Sequence, residues 1–365
     1  MKNQFLNFRY VAFSICSMLF LFSCQNDLEE SQEEITSSNL VANTTRNTIL
    51  PDRFQYFHRG RTRDNIYTSH STTGTSGWSS STRLNDLGLT KSTVKSAQFF
   101  ERVAVAYVGR RNTKKIYYGI SLDGNRFGPE RVVPGAQTNG TFSMLGFDGN
   151  LYVYHRGKTS GNSRMFYSVL NGTTFNWSPN RELANSPTYN DFDFIAVDDI
   201  FGNQRVYMVA VNNNQLIVKA SGNGVNFVDY STQNIQLPAG TGVPRSISIT
   251  QNPIDQSGFK HYQIVIRTST NHIVTTAATI ISSTTLNLSN FGTFRKVRVN
   301  NIDVKTDNNV SIASNGSNRL VIAYEAESGN NVRYAYSDNF GLNWSGNLNA
   351  SGSTSASGVD ILYLK

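Results

Sequence analysis

Short runs in which apolar and polar positions alternate recur along most of the chain, separated by turns rich in Ser, Asn, Asp and Gly. One unit consists of an alternating run, a polar turn, a second run rich in Tyr, a further polar turn and a closing aromatic. It returns six times, as FQYFHRGRTRDNIYTSHSTTGTSGW, VAVAYVGRRNTKKIYYGISLDGNRF, LYVYHRGKTSGNSRMFYSVLNGTTF, VYMVAVNNNQLIVKASGNGVNF, YQIVIRTSTNHIVTTAATIISSTTLNLSNFGTF and LVIAYEAESGNNVRYAYSDNFGLNW. The closing aromatics Trp78, Phe127, Phe175, Phe227, Phe294 and Trp344 lie 49, 48, 52, 67 and 50 residues apart. Period-two alternation inside a repeat near fifty residues predicts one four-stranded antiparallel blade per copy, and so an all-β, six-bladed β-propeller. The long 67-residue interval reads as loop insertions at 251–260 and 280–290.

With strands lettered A to D from the axis outward, strand A precedes copies two to six as SAQFF, FSMLGF, DFIAV, SISIT and VSIAS. Nothing comparable precedes copy one. The C-terminal GVDILYLK supplies it, so the chain end is expected to pair with the first blade and close the ring, protecting edges that an open array exposes. The body contains no capped amphipathic helix pattern.

The propeller spans residues 50–365, and the preceding residues carry a different pattern. Residues 1–23 hold Lys2, Arg9, no acid and an apolar run from Val11 to Phe22, the layout of a secretory signal peptide too short for a comfortable membrane span. The run ends in Leu21-Phe22-Ser23-Cys24, which resembles a bacterial lipobox, implying a diacylglyceryl group on Cys24 and a lipid anchor in the outer membrane. The other cysteine, Cys16, lies inside the leader, so the body has no thiol or disulfide and rests on its own core. Residues 24–49 are polar and contain Asp27, Glu29, Glu30, Glu33 and Glu34. They are expected to form a flexible tether, and acids placed just after the cysteine resemble the surface-export signal of Bacteroidetes lipoproteins. The whole chain carries a net charge of +8, and without leader and tether the excess of cations grows, which invites an anionic partner.

The turn before each closing aromatic is similar to the Asp-box, or BNR repeat, of the sialidase superfamily, whose pattern is Ser-x-Asp-x-Gly-x-x-Trp. The best copy is Ser337-Asp338-Asn339-Phe340-Gly341-Leu342-Asn343-Trp344, with Asn339 at the Asp position. Ser168 to Phe175 keeps Ser, Gly172 and Phe175 with Leu170 at that position, while Ser121 to Phe127 and Ser221 to Phe227 are one residue shorter. The resemblance implies that these turns join strands C and D on the face opposite the ligand site. Six-bladed fucose lectins share the period and the Tyr-rich strands, so the fold alone does not separate enzyme from lectin.

The BC and DA loops then occupy the other face. The first three BC loops read HRGRTRDN, GRRNTKK and HRGKTSGNSR, against NNNQ, RTSTNH and EAESGNN in the rest. Arg59, Arg61, Arg110, Arg111 and Arg156, with His58 and with Arg267 from blade five, are therefore the candidate ligand-binding residues, since guanidinium forks match carboxylate or sulfate oxygens. The repeated Tyr/Phe-His-Arg-Gly at 57–60 and 154–157 puts His58 and His155 where strand B meets the loop, open to the central funnel. Tyr56, Tyr107, Tyr154 and Tyr324 on the same strands are chiefly expected as core.

The candidates for catalysis are Tyr154, His155, Arg245 and Glu325. The Phe/Tyr-Arg-Ile-Pro start of a sialidase is missing, although Pro244-Arg245-Ser246 and Glu325 fall at strand ends where its groups lie. A polysaccharide lyase needs a cation and a His or Tyr proton carrier, types present in Tyr154, His155 and Arg156. The five His include no paired metal motif and no phosphate-cradling glycine loop occurs, so no metal or cofactor is expected. Capture of anionic carbohydrate at the cell surface is the leading expectation, with glycan cleavage and protein adhesion as alternatives. Nucleic acid is not an expected partner of an exported lipoprotein.

Overall fold

The computed structural model describes residues 50–365 except 111–113, 158–163, 188, 199–203, 253–260 and 280–291. The expected leader, Cys24 and tether, Arg111, and most of the two expected insertions fall outside the described residues. Blade two runs through Lys95–Phe99, Arg102–Val108, Lys115–Ser121 and Arg131–Gln137. Blade three uses Phe142–Phe147, Asn150–Arg156, Arg164–Leu170 and Arg181–Pro187. Blade four is Asp191–Asp198, Gln204–Asn212, Gln215–Ser221 and Val228–Asn234. Blade five is Pro244–Gln251, His261–Thr268, Ile273–Thr279 and the short Arg295–Lys296. A small hairpin, Arg298–Val299 with Ile302–Asp303, follows in the connection to blade six.

Blade six begins with Ser311–Ser314, Leu320–Glu325 and Asn331–Ser337. Its fourth strand and the first strand of blade one are a single segment, Ser345–Leu364. The first half pairs with blade six from Tyr336↔Ser345 to Asn331↔Thr354. The second half pairs with Arg53–Gly60, from Gly60↔Ser355 to Arg53↔Leu364, and Ile66–Ser71 and Thr82–Arg83 complete blade one. The C-terminal strand thus closes the ring, as the repeat pattern predicts.

Six apolar clusters hold the ring together, one between each pair of neighbouring blades. The alternation in each B strand decides which neighbour a side chain meets. In blade four, Val206, Met208 and Ala210 face blade three, whereas Tyr207, Val209 and Val211 face blade five. A B strand is consequently buried on both sides, and Leu320–Glu325 has no exposed position. Burying one such large side chain contributes about 1.5–3 kcal/mol, so successive residues of one strand fasten two interfaces.

The polar turns between strands C and D fasten the same interfaces. Ser121 Oγ accepts the Gly124 N–H at 2.9 Å, and Asp123 accepts the N–H groups of Asn125 and Arg126 at 2.8 and 2.9 Å. Ser221 with Asn223 and Ser337 with Asn339 repeat the pattern. Donors from the preceding blade reach the carbonyls of three CD turns. Gln55 Nε2 donates to Gly124 O at 2.6 Å, Tyr154 Oη to Gly224 O at 2.8 Å and Tyr334 Oη to Thr75 O at 2.9 Å. Gly124 sits at φ 74°, and a Cβ there would stand 2.6 Å from Gln55 Oε1, so both conformation and contact require glycine.

Equivalent positions of the six A strands form a polar girdle around an axial channel of about 280 Å³. They are Asp360, Ser96, Ser143, Asp193, Ser248 and Ser311, which places the two aspartates three blades apart. Asp360 accepts from Ser96 at 2.6 Å and Ser311 at 3.3 Å, and Asp193 accepts from Ser143 at 2.8 Å and Ser248 at 3.0 Å. Lys95 Nζ, 3.5 Å from Asp360, supplies the countercharge, and the surrounding carboxylates hold its ammonium above the usual range against desolvation. Replacing Asp193 by Ala removes the acceptor for two buried hydroxyls and for the Ile249 N–H at 3.2 Å. Chemical denaturation of this variant should show a loss of about 2–4 kcal/mol, with Asp193→Asn losing less; an unchanged midpoint would show that the girdle carries no stability.

Candidate functional site

On the face formed by the BC loops and DA connections, a cavity of about 500 Å³ opens beside the axis at blade two. Its cations are Lys91 from the connection into blade two, Arg110 at the end of that blade's strand B, and Lys114 just before its strand C. Ser92, Thr93, Thr138, Asn139, Asn308 and Ser357 supply neutral hydrogen-bonding groups, and among the described residues the lining contains no carboxylate and no aromatic ring. Lys114 adopts φ 55°, a conformation rare for a side chain of its type, and its carbonyl accepts the Thr138 N–H at 2.8 Å. That bond ties the lysine's backbone to the neighbouring connection.

The sequence candidates distribute unevenly around this cavity. Of the basic BC-loop residues of blades one to three, Arg110 and Lys114 line it. Arg59 instead donates to Lys91 O at 2.7 Å and lies 3.4 Å from Asp64. Asp64 also stands 3.1 Å from Arg110 Nε, so one carboxylate orients two arginines and cancels one charge. Arg61 is exposed on the BC loop, Arg156 is half-buried at the end of its strand, and neither lines the cavity.

His58 and His155 do not open into the funnel. His58 Nε2 lies 3.1 Å from Ser81 Oγ, its ring stacks on Tyr67, and burial pulls its pKa down to about 4. His155 Nε2 lies 3.0 Å from Asn180 Oδ1 with the ring stacked on Phe166, and burial lowers its pKa too. Strand alternation turns both rings sideways, toward the outer strands of their own blades. Tyr154 is also displaced from the expected site: its ring stacks on Phe194 at 3.8 Å and its hydroxyl reaches the opposite face, at Gly224. Desolvation holds that phenol well above its ordinary pKa, which suits a neutral interblade donor rather than a nucleophile. Tyr56, Tyr107 and Tyr324 are likewise buried.

Arg245, Arg267 and Glu325 gather on the blade five and six side of the same face. Arg267 donates to Asp307 O at 3.0 Å, and its Nε is buried without a protein partner. Burial lowers its pKa while Asp191 and Asp307 oppose that shift, and Arg245 adds to it. Glu325 accepts the Gly358 N–H at 3.2 Å, next to Ser357 of the cavity wall, and burial pushes its carboxyl above the ordinary value. Asn271 bonds both Asp307 and Glu327, at 2.6 and 3.2 Å. Charge on this half of the face is mixed, in contrast to the cavity. Among the described residues no group of His, Cys, Asp and Glu is arranged to hold a metal ion.

Lys91, Asn139, Asn308 and Ser357 were not singled out in the sequence, because they lie on connections with no repeated motif. The axial residues did carry a signal, Ser or Asp at one position of every A strand, which aligning the six copies reveals.

No protein-family model matches the sequence, and a search of curated proteins finds no match. Solved structures match the fold. The six-bladed β-propeller lectin of Aleuria aurantia, described for its fucose recognition mode, is 13% identical, with 83% of this chain and 91% of that chain covered and a TM-score of 0.56. An arginine-to-alanine mutant of AofleA from Arthrobotrys oligospora is 14% identical over 82% of each chain, TM-score 0.55. The α-L-arabinofuranosidase Arb93a from Fusarium graminearum is 13% identical over 75% of this chain and 84% of that chain, TM-score 0.50. The class is thereby a six-bladed β-propeller.

Two measurements check the assignments made here. Tyr154→Phe should cost about 1 kcal/mol of stability and leave ligand binding unchanged, whereas a nucleophile would lose activity outright. The second concerns Asp191, whose carboxyl desolvation pushes up to about 6 despite Lys95 and the Ile247 N–H. A raised folded pKa contributes stability that is complete below the unfolded value near 4 and disappears as pH rises through 6. Asp191→Asn should therefore match the parent near pH 4 and exceed it near pH 7, by up to about 3 kcal/mol, in melting curves across that range.

Proposed function

We propose that this chain is a lipid-anchored surface protein that binds anionic carbohydrate on the BC/DA face of its propeller. The cavity carries the reading: among the described residues three cations and no carboxylate line it, and one wall is the ring-closing segment at Ala356 and Ser357. A rigid concave site with several charge-bearing donors suits a ligand that offers mainly acceptors. The fold of the fucose-recognising lectin from Aleuria aurantia supports a carbohydrate as the carrier of that charge. The hydrogen bonding of the Ser121 and Ser337 turns supports reading them as degenerate Asp-boxes, and the Leu21–Cys24 motif supports lipidation and an outer-membrane, outward-facing location.

Binding is favoured over cleavage because Tyr154 is buried between blades three and four and His155 is buried within blade three. Glu325 is the residue that favours a glycan-cleaving enzyme, being a carboxyl with raised pKa behind the cavity wall. A glycan array spanning neutral, sialylated, uronate-bearing and sulfated sugars, run beside turnover assays on the same compounds, tests the choice. Binding of acidic glycans without product release is expected. Product formation abolished by Glu325→Gln would replace the binding reading with the enzymatic one, and silence in both assays would leave a protein ligand as the better account. Metabolic labelling with a clickable fatty acid should tag the parent and not Cys24→Ser.

A further inference from the structure

We infer that the group read by the cavity is a sulfate ester on a glycan, rather than a carboxylate or a neutral sugar; the inference rests on the anionic-carbohydrate reading above. Lys91 enters from the DA connection into blade two, and Arg110 and Lys114 from the two ends of that blade's BC loop. Separate point-charge donors carried by two segments suit a tetrahedral oxyanion, whose three terminal oxygens diverge. A carboxylate has two oxygens in one plane and is met best by a single guanidinium fork. Here Arg110 has its Nε directed to Asp64 at 3.1 Å, and Lys91 and Lys114 are point charges without a planar preference.

The missing lining residues argue in the same direction. A neutral sugar presents hydroxyl hydrogens, met best by carboxylate acceptors, and C–H faces that pack on aromatic rings, and among the described residues this lining offers neither a carboxylate nor a ring. A sulfate ester is acceptor-only, and its charge does not titrate in the physiological range. The amide groups of Asn139 and Asn308 add neutral donors, while the hydroxyls of Thr93 and Ser357 donate to Ser357 O at 2.7 Å and Ser92 O at 3.0 Å and so brace the wall. Backbone fixation of Lys114 through Thr138 reduces the ordering needed on binding.

The test is calorimetric titration of the full chain with two oligosaccharides that share a uronic-acid backbone, chondroitin 4-sulfate and unsulfated chondroitin, at about 150 mM salt to screen diffuse attraction. The sulfated form should bind at least about tenfold more tightly. The double variant Lys91→Gln/Lys114→Gln should erase that preference with an unchanged melting temperature, and Arg126→Gln, exposed on a turn of the opposite face, should retain it. Equal affinity for the two oligosaccharides would overturn the sulfate assignment and leave the anionic-glycan reading standing. Absence of binding by either, together with a silent glycan array, would sink both. A drop of the same size for Arg126→Gln would also overturn it, because the attraction would then be a property of net charge. Competition by mannose 6-phosphate as potent as that of a sulfated monosaccharide would shift the assignment to phosphate esters.

Discussion

Everything in this molecule depends on blades packing face to face, with each B strand shared between two interfaces. In an ordinary half-buried sheet, alternation separates core from solvent. Here it separates the left neighbour from the right one, so no blade can complete its own core. Such an arrangement is satisfied only when the ring closes. Ser345–Leu364 meets that requirement by ending blade six and opening blade one in a single strand, which ties the two ends of the repeat array together.

Ring closure also explains where the polar residues went. Six A strands brought around one axis put six equivalent side chains into one channel, and two aspartates among four serines satisfy nearly all of those groups mutually. On one end of the barrel-like stack the Ser/Asp/Gly turns are consumed by contacts with the preceding blade. The other end keeps longer connections whose side chains are not required for packing. The cavity lies there, and its wall includes the closing segment, so the integrity of the ring and the shape of the site are coupled.

The site shows how the same loop sequence yields different roles. Arg59 and Arg110 come from neighbouring blades and share Asp64, yet only Arg110 lines the cavity. The Tyr-His-Arg-Gly repeat, which looks chemical in the sequence, is structural for its Tyr and His members. Each ring is fully enclosed, its hydrogen bonds go to neighbouring main chain or to strand-D residues, and burial keeps it neutral. Polar side chains at the end of a buried strand satisfy packing and hydrogen bonding first, and reactivity requires exposure that these residues lack.

Sequence alone determined the blade count, the strand order within a blade and the role of the C-terminal strand, because a fifty-residue period with period-two alternation admits one architecture. It also placed the charge excess on the BC loops of blades one to three. Only the tertiary structure decided which way each strand residue faces, since alternation in a doubly buried strand carries no sign for left or right. It likewise decided which cations share a cavity, because Lys91, Asn308 and Ser357 are far apart in the chain and meet only when six blades surround one axis.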